Sequence, residues 1–416
     1  MIIIYHLFLF VYKAGIYFVS FWNKKAKLWI SGRRHIFNKL EKAVAGLKNK
    51  EVVWMHCASL GEFEQGRPVL QKIKDEFPDT FLVISFFSPS GFEIIKNDKD
   101  FKNIFYLPMD SKIHAEKWMN ILNPRLVLWV KYEYWHYYLD EIKKRNIPLL
   151  MVSGIYRSNQ TFFKWYGGFY CKMLNAFTHF FVQHESSKEQ LEKLIDVGKI
   201  TVSGDTRCDR VIHIAKHFKE VEGIADFCGE SEVVVGGSTW EEDETEWIHY
   251  VRLHPEIKFI IAPHEVDEEN LHDLKKEFEG SVFYSEWIAN KNTRESNCLI
   301  IDHIGTLSRL YHYATITYVG GGFGDDGLHN ILEAAVYGKP VIFGPEFDKN
   351  FEAEELIECG GAISVENAIE LEKVVDGLLK SKDELSSRSK AAKNYVYKNA
   401  GATDKIISFI KMESLL

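Results

Sequence analysis

Glu62 and Glu133 each follow closely on an apolar run, VVWMHC before the first and LVLWV before the second, so two carboxylates fall where buried strands end. A carboxylate in that place serves as a general base when a substrate hydroxyl comes within hydrogen-bond reach. Glu62 also sits three residues after Ser59, the spacing of a helix capping box, and that reading carries equal weight for this residue alone. Glu133 beside Lys131 allows a plain solvated ion pair. The repeated strand-end placing favours chemistry, with Glu62 as base and Glu133 as a second carboxylate that orients the acceptor. Gly61, Ser88, Ser90, Gly91 and Lys131 lie on the same set of turns and are the candidates for acceptor contacts, although turn chemistry by itself accounts for Pro89 and Gly91.

A second constellation lies in YVGGGFGDDGLHNILEAAVYGKPVIFGP, residues 318–345, which reads as strand, glycine turn, helix and strand. Gly320, Gly321, Gly322 and Gly324 lack a Cβ, so their amides can approach a phosphate closely. A helix starting near Leu328 would turn its free N–H groups toward the same anion. Asp325, Asp326, His329, Asn330 and Glu333 add polar chemistry that simple packing of a helix on a sheet does not require. Upstream, GGSTWEEDE places Gly237, Ser238 and Thr239 at a helix start, with Thr239 and Glu242 in capping register. APHEV puts Pro263 and His264 after the next strand. Together these are a nucleotide site, with no metal-ligand spacing in it.

The elements that must position these groups alternate between short apolar strands and helices. EVVWMHCAS, TFLVISFFS, PRLVLWV and PLLMVSG are strands, with helices expected from about Phe63 to Glu76 and near Gly91. The polar segment up to Glu232 reads as a linker, and the alternation restarts with EVVVG, KFIIAP, VFYS, CLIID, TITYVG and PVIFG. Strands of this kind form parallel sheets covered on both faces. The expected fold class is α/β, with two doubly wound Rossmann-like domains facing a cleft. The expected boundaries are 1–50 for a membrane anchor and basic flank, 51–210 for an acceptor domain and 211–395 for a nucleotide domain. A last helix within 396–416 is expected to pack back on the first domain.

With 416 residues, two domains are the default, and a net charge of −8 argues against a general nucleic-acid binder. The six cysteines are scattered and read as reduced thiols, Cys57 among them as a buried strand residue. Residues 1–22 are almost wholly apolar or aromatic apart from His6 and Lys13, and a basic segment from Lys24 to Lys50 follows with Glu41 as its single acid. This is a membrane-contact signal. A spanning helix and a helix lying in the interface fit it equally, and Lys13 sits better in the second.

Read together, HCASLGEFEQGRPVL, SPSG, LPMD, WVKYEYW, VSGDTRCD, GGSTWEEDE and the glycine stretch resemble the 3-deoxy-D-manno-octulosonic acid (Kdo) transferases of lipopolysaccharide assembly, a GT-B glycosyltransferase family. The resemblance covers nearly the whole chain. It implies transfer of Kdo from CMP-Kdo to a lipid A precursor, lipid IVA, at the cytoplasmic face of the inner membrane, with inversion and without a cofactor. Carried over by position, Glu62 is the base, Glu133 the second glutamate, and Gly237 to Thr239 and Gly320 to Glu333 the CMP side. This chain departs from the family where Lys131 replaces an acidic residue, His136 a proline, and Ser153, Gly154 and Ile155 an asparagine-containing turn. Those departures concern acceptor contacts and the number of sugars added. The rival readings are an enzyme like the UDP-GlcNAc 2-epimerases and a non-catalytic membrane adaptor.

Overall fold

Short runs rich in Val, Ile, Leu and Phe, each too brief to bury a helix face, pair here as parallel strands in two separate sheets. The structure is a computed structural model and describes residues 1–47, 50–131, 133–289, 296–324, 327–348 and 350–416. Asp325 and Asp326 of the glycine turn lie outside the described residues. Contacts divide the chain into two units, one of residues 1–209 with 401–416, the other of residues 210–400.

In the first unit the strands are β1 Val52–Cys57, β2 Phe81–Phe86, β3 Ile104–Tyr106, β4 Leu126–Val130, β5 Leu149–Gly154, β6 His179–Val182 and β7 Ile200–Val202, in the order β3-β2-β1-β4-β5-β6-β7. Side chains alternate across β1. Val52 and Trp54 join Trp118 and Trp129 on one face, and Val53 and Met55 join Val130 and Leu70 on the other. Both faces are therefore apolar, which is why β1 reads as a continuous hydrophobic run rather than an alternating one. The helices are α1 Ile2–Val19, α2 Lys24–Gly32, α3 Ile36–Val44, α4 Leu60–Glu76, α5 Pro89–Ile95, α6 Lys112–Leu122 and α7 His136–Lys144, with shorter helical segments after β5 and β6. The C-terminal helix Ala402–Met412 lays Ile406, Ile407 and Ile410 into the same cluster as Val69, Leu70 and Ile73 of α4.

α1 is long and apolar enough to cross a membrane by length and composition. One face of it is nevertheless committed to the unit. Tyr5 and Leu9 are buried and Tyr12 and Ile16 pack on the same core, a 4-3-4 helical spacing. The Tyr5 hydroxyl donates to Asp110 at 2.6 Å, and Asp110 also accepts from the Tyr137 and Tyr138 amides at the start of α7. The other face leaves Ile3, Phe10 and Phe18 exposed.

The second unit has β8 Val233–Thr239, β9 Lys258–Pro263, β10 Val282–Phe283, β11 Cys298–Ile300, β12 Ile316–Val319, β13 Val341–Phe343 and β14 Ala362–Ser364, in the order β10-β11-β9-β8-β12-β13-β14. Three expectations need correction. The stretch before Glu232 holds helices Thr206–Lys216 and Ile224–Cys228, because Val211, Ile212, Ile224 and Phe227 are buried rather than carried on a linker. VFYS contributes only two strand residues before turning helical at Tyr284. The helix of the glycine stretch begins at Leu332, not near Leu328, where the Leu332 amide turns to the Asn330 side chain rather than to a preceding helical turn.

Candidate active site

β1 and β4 lie side by side, with His56 opposite Trp129, and the chain leaves them in opposite directions, β1 toward β2 and β4 toward β5. The loops beyond their carboxyl ends diverge and open a crevice, the switch point of a doubly wound sheet. α4 begins after β1 with Ser59 as its cap, and its first turn carries Glu62. The Glu62 amide donates to Ser59 Oγ at 3.4 Å, while Glu62 Oε2 accepts from the Ala58 amide. The cap weighed from the sequence is thus formed, with the Ser59 amide as well as that of Ala58 returning to the carboxylate. Glu62 is 7% exposed, and burial pushes its carboxyl up to about 7 against the opposing Ala58 amide, with Glu133 adding to the rise and Lys131 opposing it.

Glu133 is held from three sides. Its Oε2 accepts from Trp135 Nε1–H at 2.8 Å and lies 3.2 Å from His56 Nε2, and its carbonyl accepts from Trp129 Nε1–H at 2.6 Å. His56 Nδ1 is 2.9 Å from Ser85 Oγ, which accepts from Trp54 Nε1–H at 2.8 Å. Indole N–H only donates and a carboxylate only accepts. A neutral His56 that accepts from Ser85 at Nδ1 and donates from Nε2 to Glu133 satisfies the whole chain. His56, Ser85 and Trp135 went unnoticed as candidates in the sequence, where the one usable signal was a histidine and a serine interrupting apolar strands.

The acceptor candidates surround the start of α4. The Ser88 amide donates to Ala58 O at 2.8 Å and the Ser88 and Ser90 hydroxyls are 2.7 Å apart. A Cβ on Gly61 would meet nothing within 4 Å, whereas one on Gly91 would come 2.8 Å from the Leu60 amide, so Gly91 is required by the close approach of α5 to α4. Lys131 takes a left-handed φ of 54° as the chain leaves β4. Cys57 is buried with its thiol driven up by desolvation, an inert core residue.

In the second unit β8 and β12 are the corresponding neighbours, with Gly237 opposite Val319, and the chain again departs on opposite sides. Asp243, fully buried, joins the two strand ends: it accepts from the Trp240 amide at 3.0 Å, the Gly321 amide at 2.8 Å and the Tyr318 hydroxyl at 2.6 Å. Asp243 thereby takes the capping role expected of Thr239 and Glu242. The Thr239 hydroxyl instead donates to Glu244 at 2.7 Å, and burial pushes the Glu244 carboxyl up to about 7. The glycines serve close backbone approach. A Cβ on Gly237 would fall 2.1 Å from the Tyr311 hydroxyl, on Gly320 2.4 Å from Ser238 O, and on Gly322 2.6 Å from the Gly344 amide. Gly321 needs its freedom for a φ of 88°, and Gly324 meets only Glu242, at 3.4 Å. Ser238 also has a left-handed φ, 53°.

Over these turns Trp240, His264 and His329 stack, with centroids 4.5 Å apart for Trp240 and His264 and 4.5 Å for His264 and His329. Trp240 Nε1–H donates to His329 Nε2 at 3.1 Å. Pro263 ends β9 opposite Thr239 and so delivers His264 to the stack. Asn330 Nδ2 donates to Glu333 at 3.2 Å, and burial raises the Glu333 carboxyl against the opposing charge of Arg210. Trp240 and Asp243 stood inside a recognised motif, yet nothing in GGSTWEEDE distinguishes them from their neighbours. Among the described residues no group of His, Cys, Asp and Glu is arranged to hold a metal.

Two doubly wound parallel sheets, each with its polar groups at the switch point, are the GT-B fold. The fold is shared widely: the UDP-GlcNAc 2-epimerase of Neisseria meningitidis bound to UDP-GlcNAc superposes with a TM-score of 0.63 at 14% identity, over 87% of this chain and 100% of that one. Residues 32–210 match the family described as 3-Deoxy-D-manno-octulosonic-acid transferase (kdotransferase). A 3-deoxy-D-manno-octulosonic acid transferase of Chlamydophila psittaci is 25% identical over 398 residues, 90% of each chain. A bifunctional glycosyltransferase/methyltransferase of Fusobacterium nucleatum is 29% identical over 381 residues, 87% of this chain and 57% of that longer protein. Residues 32–210 thus carry the Kdo transferase family domain, and the chain is similar to Kdo transferases over most of its length.

Proposed function

We propose that the protein transfers Kdo from CMP-Kdo to a hydroxyl of a lipid A precursor, lipid IVA, with inversion at the anomeric carbon. Glu62 accepts the proton of the acceptor hydroxyl as its oxygen bonds to the anomeric carbon, and the bond to CMP breaks with the electron pair leaving on the phosphate. The observation that carries this reading is Glu62 itself, a desolvated carboxylate at the β1/β4 switch point of the matched family domain. A base raised to about 7 is strong enough to take a proton and is substantially ionised at neutral pH. Glu133, fixed by His56 and Trp135, orients the acceptor, with Gly61, Ser88, Ser90 and Lys131 nearby on the same turns. The nucleotide is held by the second unit, where Gly321, Gly322 and Gly324 bring backbone amides to the phosphate, the Trp240–His264–His329 stack offers ring faces, and Asn330 with Glu333 offers acceptors to the ribose.

The protein works at the cytoplasmic face of the inner membrane. α1, docked by its Tyr5–Leu9–Tyr12–Ile16 face and apolar on the other, lies in the interface rather than across it, so the acceptor's acyl chains stay in the bilayer. The test is mass spectrometry of lipid IVA incubated with the protein and freshly generated CMP-Kdo, with Glu62→Gln in parallel. Addition of one or more Kdo masses by the wild type alone supports the assignment. An unmodified lipid with folded protein, or turnover of UDP-GlcNAc without any lipid, overturns it.

A further inference from the structure

The helices that carry the basic segment enclose a cavity of about 340 Å³ against the loop before α6. Its wall brings together Lys13 of α1, Arg33 of the α2 end, Arg34 and His35 of the α2–α3 turn, and His114 and Lys117 of α6, with no Asp or Glu among the lining residues. Two acids reach this group: Glu41 of α3 lies 3.7 Å from Lys117, and the charge of Glu133 acts on Arg33. Like charges gathered from four elements repel one another, a cost that a bound anion would offset. Lys13, anomalous in an apolar helix, is accounted for by this wall.

Three further observations point to an anion. Trp29 lines the cavity at 6% exposure, and its buried indole N–H has no hydrogen-bond partner among the described residues. α3 starts at Ile36 with no side-chain cap, so the amides of Ile36, Phe37 and Asn38, all lining residues, lack intrahelical acceptors. Arg33 donates to the carbonyls of Leu107, Trp29 and Phe87 and lies 3.8 Å above the Trp29 ring, yet forms no ion pair among the described residues. A guanidinium fixed by carbonyls and rings is a preformed phosphate receptor. Around it, exposed Leu7, Phe10 and Phe18 of α1 supply the apolar surface of an interfacial helix.

We propose that this cavity receives the terminal phosphate monoester of an anionic lipid at the bilayer surface, gripped by Arg33, Arg34, Lys117 and the start of α3. A monoester offers three acceptor oxygens and nearly two charges, against one for a diester headgroup, and so matches the number of donors and cations here. The inference rests on the interfacial placing of α1 and extends it from a general affinity for membranes to a discriminating headgroup site.

The experiment is flotation of the full-length protein with phosphatidylcholine vesicles containing either phosphatidic acid or phosphatidylglycerol, matched for zeta potential. The wild type is expected to bind the phosphatidic acid vesicles about tenfold more tightly, the difference made by one or two basic contacts. Arg34→Gln/Lys117→Gln, both exposed positions, is expected to erase that preference while keeping binding to phosphatidylglycerol. Leu7→Ser/Phe10→Ser is expected to lose binding to all vesicles. Wild type that floats with neither vesicle sinks the interfacial placing itself. Equal binding to both with α1-dependent flotation retains that placing and overturns the headgroup site. Saturable binding of soluble glycerol 3-phosphate, by calorimetry without vesicles, overturns the lipid as the source of the phosphate.

Discussion

The two switch points share a plan and differ in material. At β1/β4 the polar groups are side chains: Glu62 and Glu133 held by an amide, an indole and a histidine, in a wall of Trp54, Trp129 and Phe87. At β8/β12 the shape comes from backbone, with glycines allowing strand ends to approach more closely than any Cβ permits and a buried Asp243 joining them. The first arrangement tunes a charge, since desolvation raises Glu62 while the Ala58 and Ser59 amides steady it. The second fixes donors in space and leaves charge to the ligand. The proposed reaction asks for the former at its deprotonating centre and the latter at its phosphate cradle, two demands that one fold meets by exchanging what fills its crevice.

That contrast is broken most severely at Glu62. Glu62→Gln, which keeps an acceptor for the Ala58 amide, is expected to reduce turnover by about 10²–10⁴-fold. It is not expected to destabilise the protein at pH 8. The folded-state carboxyl is raised from 4.5 to about 7, so the native state binds more protons than the unfolded one between those values, and stability falls as pH rises through them. The neutral amide escapes that loss, and thermal unfolding at pH 8 should show an unchanged or higher midpoint. A lower midpoint would mean that Glu62 is structural first.

On the other side, Gly322→Ala drives a methyl to 2.6 Å from the Gly344 amide and should destabilise the second unit by about 1–3 kcal/mol while weakening CMP binding. The matching change in the first unit, Gly61→Ala, meets nothing within 4 Å and should leave the unfolding midpoint within about 1 °C of wild type. Equal effects would erase the distinction between backbone-built and side-chain-built sites.

The pH profile sharpens the same point. kcat/KM should fall about tenfold per unit below a limb near pH 7, because Glu62 must be ionised to act, and that limb should be absent from residual Glu62→Gln activity. A limb near 4.5 would show that Glu62 is not desolvated in the working enzyme. The smallest effect is expected at the ring stack, where Trp240→Leu should weaken CMP binding by about 0.5–1.5 kcal/mol, read by calorimetry, with kcat nearly unchanged.

Much of this molecule was legible from local pattern. Apolar runs bounded by turn residues marked the strands around both sites because each strand is buried on both faces, and Glu62, Gly237 and the glycine stretch were visible because strand-end positions follow from strand positions. The cap between Ser59 and Glu62 was readable for the same reason, as its partners are neighbours in the chain. What only the tertiary structure decided are pairings across long loops. His56 meets Glu133 across 77 residues, Asp243 meets Gly321 across 78, and Trp240 meets His329 across 89. No propensity or spacing records such pairs, because they depend on β1 lying beside β4 and β8 beside β12. Lys13 shows the same division: its sequence revealed a charge out of place in an apolar helix, and only packing against α2, α3 and α6 supplied the cationic cavity it faces. Local sequence determines which segments bury themselves, while desolvation and partner choice at a site arise from the order in which those segments are laid side by side.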